Sequence, residues 1–159
     1  MADFIWRSVA IGIGGTAAFD IWTLLLAYAF GQPKPDWGLV GRWFAHLAKG
    51  TFFHADIAAS QSVANETAIG WLAHYAIGII YGAALVAFAG TEWLSHPTFL
   101  PAWILGLVTV GAGWFILQPG MGAGWAASLR PNPMKIRAFN LIAHSVFAAG
   151  MFGTALLIS

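Results

Sequence analysis

Four stretches of this chain, about residues 4–30, 66–90, 101–118 and 138–158, are each apolar and long enough to cross a bilayer core of roughly 30 Å as a helix. Only helices and closed barrels satisfy every backbone N–H and C=O in lipid. A barrel would show segments of about 10 residues with alternating polarity. These runs are longer and carry no period of two, so the fold class is all-α. The expected architecture is a polytopic membrane protein, a four-transmembrane-helix bundle forming one domain over residues 1–159. Composition agrees: 59% of residues are hydrophobic and 8% are charged, against about 25% charged in an ordinary soluble domain. A net charge of +1 leaves no basic field for nucleic acid, so no nucleic-acid partner is expected. The absence of cysteine excludes disulfide, thiolate and Fe–S chemistry.

The breaks between the stretches have local causes. Pro33 and Pro35 stop the first, Ser95-His96-Pro97 fill a turn after the second, and Pro119-Gly120 end the third. Pro131 and Pro133 are expected to keep the chain extended before the fourth. The first stretch is too long, and too poor in N-terminal Lys and Arg, for a signal peptide, so it is expected to be retained.

The connection over residues 31–65 holds Val40, Trp43, Phe44 and Leu47 at helical spacing, with Arg42, His46 and Lys49 among them. This predicts a short amphipathic helix at about 39–49. It either lies in the headgroup layer, with Arg42, Trp43, His46 and Lys49 interfacial, or packs on the end of the bundle. Trp37, Trp43 and Trp125 near one boundary, and Trp6, Trp93 and Trp103 near the other, suit aromatic belts. His46 and His54 near Asp56 form a second possible metal patch, with solvated histidines as the plainer reading. Six of the seven Lys and Arg residues lie in the first and third connections. The excess of positive charge on cytoplasmic loops then places those connections in the cytoplasm and both termini outside.

Few polar side chains fall well inside the spans. Asp20, His74, Gln118 and His144 are the ones that matter, each in the cytoplasmic half of a different helix. Ionisable groups in a membrane face the bundle interior and pair with one another, so these four are expected to form one connected polar cluster. The cluster admits several readings. It can be a structural hydrogen-bond clasp or a proton relay, since imidazole titrates near neutral pH. Asp20, His74 and His144 can also be ligands of a divalent metal, and the two histidines axial ligands of a haem. The matching functions are proton- or ion-linked transport, a cofactor-binding redox protein, and a non-catalytic accessory subunit of a larger membrane complex. An enzyme is the less favoured reading, and no cofactor is assigned.

Gly78 and Gly82 form a GxxxG pair, and Gly12, Gly14 and Gly15 thin the first helix, which favours close helix packing. Gly78 and Gly82 are the candidate contact between copies in a homo-oligomer, or else a contact within one chain. Gly120-Met121-Gly122-Ala123-Gly124 follows a span rather than a strand and lacks the Lys-Ser/Thr ending of a phosphate loop, so no nucleotide site is expected. Leu72-Ala73-His74 and Ile142-Ala143-His144 hint at an internal repeat of two helical hairpins.

Several short motifs together resemble a family. They are Gly41-Arg42-Trp43 with His46, Glu66 through Gly70-Trp71 to His74-Tyr75, Gln118-Pro119-Gly120-Met121-Gly122, Ala126-Ala127-Ser128, Pro131, Pro133, and Arg137 with His144. The chain resembles a family of uncharacterised bacterial inner-membrane proteins known as a domain of unknown function. Phe19 stands where that family more often has Met, and Asn140 where Ser is common. The resemblance implies a four-span protein of the bacterial inner (plasma) membrane, with the lipid bilayer as its surroundings and no established activity; with the charge bias above, both termini are expected to be periplasmic. It transfers no catalytic residue.

Overall fold

The computed structural model describes residues 2–159. The described residues are helical or irregular, with no strand among them. Five helices organise the chain: α1 (Ala2–Phe30), α2 (Trp37–Leu47), α3 (Glu66–Ala89), α4 (Phe99–Gly120) and α5 (Pro133–Leu157). Helices α1, α3, α4 and α5 are each long and apolar enough to cross a membrane. Their surfaces carry exposed Ile13, Leu25, Ile80, Val108 and Leu157. Such a surface is unfavourable in water and natural against lipid chains.

The helix ends differ from the sequence expectations where one residue changes the local balance. Helix α2 starts two residues early because the Asp36 side chain accepts hydrogen bonds from the Gly38 and Leu39 N–H groups, capping two otherwise orphaned donors. It stops before Lys49, and Gly50 follows in the left-handed region at φ 87°. Helix α5 begins at Pro133 rather than near residue 138. Proline is well suited to a first helical position, where its missing N–H costs nothing, so Pro133 opens the helix instead of keeping the chain extended. Helix α4 runs past Gln118 to Gly120 through a π-helical turn at Gly113–Leu117. Pro119 has no N–H to offer and would collide with the carbonyl of Phe115 in a regular helix. The wider turn makes room, with the Gln118 N–H reaching back to the Gly113 carbonyl.

The helices contribute to two compact units. The first takes in the chain up to Lys34, Tyr75–Thr109 and Leu141–Ser159. Its core contains Ile11, Leu85, Val86, Phe147 and Met151, closed by Trp93 and Leu94 from the 3₁₀ turn Thr91–Leu94. Trp93 is therefore a core residue rather than part of a lipid-facing belt. Gly82 lies against Ser8 and Gly12, and Gly78 against Thr16, so the GxxxG pair is used inside the protein, between α3 and α1. Gly106 of α4 sits on the His144 carbonyl and Ala148 of α5. Such contacts between small residues replace the hydrophobic drive that lipid removes.

The second unit comprises Pro35–His74 and Val110–Asn140. It joins the first and third connections: Gly120 packs on Trp43, the His54 N–H donates to the Gly120 carbonyl, and the Ile57 N–H to that of Met121. Trp43, expected at the lipid interface, is only 3% exposed and donates its indole N–H to the Phe52 carbonyl at 2.8 Å. Its partner carbonyl lies inside the protein, and that draws the ring inward. Between Gly124 and Ser128 the chain holds Ala126 at φ 47° and Ala127 at φ 60°. The left-handed region costs an L-residue roughly 1–2 kcal/mol, whereas glycine adopts it freely. Ala126→Gly is therefore expected to leave stability unchanged or raise it by about 1 kcal/mol. Denaturant unfolding in detergent checks this, and clear destabilisation would show that the Ala126 methyl group is needed.

Candidate functional site

The first unit holds two hydrogen-bonded groups within membrane-length helices. Asp20 lies ten residues before the end of α1 at Phe30, about 15 Å along the axis. Its carboxylate Oδ2 accepts the Tyr75 hydroxyl of α3 at 3.0 Å. On α5, His144 Nδ1 lies 3.0 Å from Thr109 Oγ1 and 3.2 Å from the Gly106 carbonyl. The Thr109 hydroxyl spends its own proton on that carbonyl at 2.7 Å. Both partners thus face His144 Nδ1 as acceptors, so Nδ1 carries the proton, and in the neutral ring Nε2 is the basic nitrogen. Phe19, the residue before Asp20, meets the His144 ring edge-on at 6.2 Å.

The second unit holds His74 and Gln118. His74 stacks on Trp37, with ring centroids 3.9 Å apart, and has Trp71 at its edge. The two histidines therefore have different neighbours: His74 is set among indole rings, His144 among hydroxyl and carbonyl oxygens. Gln118 Nε2 donates to Asn140 Oδ1 at 3.1 Å, and Trp114 Nε1 donates to the same oxygen at 3.0 Å. An indole N–H can only donate, which fixes Asn140 with its oxygen toward both partners. The Gln118 oxygen is buried without a hydrogen-bond partner.

The residues expected at the headgroups are largely engaged within this unit. Arg42 forms a bidentate pair with Glu66, Nε to Oε2 at 2.9 Å and Nη2 to Oε1 at 2.8 Å. Its Nη1 is shared among the carbonyls of Ile57, Ala58 and Ser60. The side chains are 11% and 22% exposed, so the pair is shielded. The Glu66 hydrogen bond raises the Arg42 guanidinium above its ordinary value, opposed by partial desolvation. Glu66 Oε2 also accepts the Val63 N–H, which ties the loop to the start of α3. His46 Nδ1 lies 2.9 Å from His54 Nε2, and His54 Nδ1 lies 3.0 Å from the Gly120 carbonyl. That carbonyl fixes the His54 proton on Nδ1, so in the neutral pair His46 is the donor.

Sequence reasoning passed over Tyr75, Thr109, Asn140 and Glu66 as partners. Asn140 and Thr109 are ordinary residues of apolar helices until folding brings their partners near. Among the described residues no group of three or more His, Asp or Glu side chains is placed to hold a metal ion.

The motifs that carry the family resemblance meet one another here: Arg42 holds Glu66, Trp43 packs on Gly120, and Arg137 Nε donates to the Ala126 carbonyl at 2.8 Å. No curated protein and no solved structure gives a significant match to the chain. A family model does match, over residues 9–158, and the chain belongs to that family, described as protein of unknown function (DUF2938).

Proposed function

We propose that this is a multi-pass protein of the bacterial inner membrane that moves protons, or an ion coupled to them, past Asp20 and His144. The first and third connections face the cytoplasm in this reading, and both termini face the periplasm. The observation that carries it is the pair of titratable groups in membrane-length helices, each held by a neutral hydroxyl: Asp20 by Tyr75 and His144 by Thr109. Hydroxyl partners let either group change charge without losing its anchor. Tyr75 can donate to the carboxylate and to the carbonyl oxygen of the protonated acid alike. His144 keeps its Nδ1 proton in place while Nε2 gains or loses one. Intramembrane ionisable groups are costly, which favours a working role over a decorative one.

The test is proton flux in proteoliposomes with a trapped pH-sensitive dye and an imposed pH gradient. Wild-type protein is expected to dissipate the gradient faster than empty vesicles, with Asp20→Asn falling to the empty-vesicle rate. Thr109→Val is expected to slow flux and shift its pH profile, because His144 loses an acceptor that fixes its tautomer. Wild-type vesicles no leakier than empty ones, under gradients of either sign and with sodium or potassium present, would overturn the proposal.

A further inference from the structure

The third connection, between α4 and α5, combines exposed apolar side chains with unneutralised positive charge. Trp125 is 66% exposed, Leu129 75% and Met134 69%, and Arg130 and Lys135 beside them are exposed as well. From Trp93 to Ser159 the sequence holds no Asp or Glu, so no carboxylate of this segment competes for those cations. The connection is also internally pinned. The Leu129 N–H donates to the Ala123 carbonyl at 3.0 Å, that of Arg130 to Ala127 at 3.0 Å, and Trp125 rests edge-on against Phe115. Arg137 clamps the Ala126 carbonyl, and Pro131 and Pro133 stiffen the approach to α5. Cations on a stiff segment lose little freedom when they bind.

We infer that this connection is a docking surface for the headgroup of an anionic phospholipid. Arg130 and Lys135 meet the phosphate, while Trp125, Leu129 and Met134 enter the upper acyl region. Charge complementarity selects the occupant: a partly apolar, purely cationic patch beside a membrane-length helix fits an anionic amphiphile. The headgroup role anticipated for Arg42 thereby moves to the other connection, because Arg42 is already bound to Glu66.

The test is native mass spectrometry of the full chain in mild detergent with equimolar phosphatidylglycerol and phosphatidylcholine. Each juxtamembrane cation is worth about fivefold in anionic-lipid affinity, so with two of them phosphatidylglycerol is expected to be retained about 25-fold over phosphatidylcholine. The double variant R130Q/K135Q is expected to bring that ratio near one. Both side chains are exposed, and an unchanged circular-dichroism melt verifies that the variant folds. Lys49→Gln, on the other connection, is expected to keep the preference. The proposal is overturned by a wild-type ratio near one, by an R130Q/K135Q ratio equal to wild type, or by Lys49→Gln abolishing the preference.

Discussion

Trp43→Ala is expected to cost about 3–5 kcal/mol of stability, the range for removing a buried large aromatic ring. Trp43 is the largest buried side chain of the second unit, meeting Phe44 and Phe52 edge-on. Gly120, at the end of α4, packs directly on its indole nitrogen. Removing the ring opens a cavity in that contact and strands the Phe52 carbonyl. Trp43→Phe separates the two effects. It keeps most of the apolar area and loses the N–H, so a smaller cost of about 1–3 kcal/mol is expected. Urea unfolding in detergent, followed by circular dichroism, measures both. A Trp43→Ala cost below about 1 kcal/mol would mean that the ring is not buried in the folded protein.

Gly82→Ala is expected to be clearly destabilising although it adds only one methyl group. The new Cβ would fall on the Ser8 carbonyl oxygen, 2.6 Å from the Gly12 nitrogen and 2.9 Å from the Gly12 Cα. Those are backbone atoms of α1, which cannot turn aside as a side chain can. The two helices must separate and lose their close contact, at a cost of about 1–3 kcal/mol or more. Gly153→Ala is the control: nothing lies within 4 Å of its new Cβ, so it is expected to be neutral or to gain up to about 1 kcal/mol from helix propensity. Equal destabilisation by both substitutions would show that the α1–α3 approach is looser than the structure has it.

The contrast between these glycines marks how far sequence reading reaches. A GxxxG spacing identified Gly78 and Gly82 as packing residues, but whether they meet another copy or another helix of the same chain depends on which helix lies beside α3. The same limit applies to the polar residues. Asp20 and His144 stand out in the sequence because an ionisable group is conspicuous in an apolar run. Tyr75, Thr109 and Asn140 do not stand out, since hydroxyl and amide side chains are tolerated there without special partners. The pairing of Arg42 with Glu66 joins residues 24 apart and on different helices, a separation that no helical period relates.

The sequence by itself determined the fold class and the four membrane-length helices. Segment length against bilayer thickness, and the need to satisfy every backbone group locally, are properties of each stretch alone. Their ends were legible to within about five residues, the largest difference being at Pro133, which opens α5 where the sequence reading kept the chain extended. Tertiary structure alone decided where Trp43 and Trp93 point, what Arg42 binds, and which nitrogen of His144 holds its proton. Each of these depends on a donor or acceptor outside the residue's own helix: the carbonyls of Phe52 and Thr98, the Glu66 carboxylate, and the Thr109 hydroxyl with the Gly106 carbonyl. Side chains with both an apolar body and a polar tip are satisfied equally well by lipid headgroups or by protein, and only the folded chain brings the protein partner within hydrogen-bond distance.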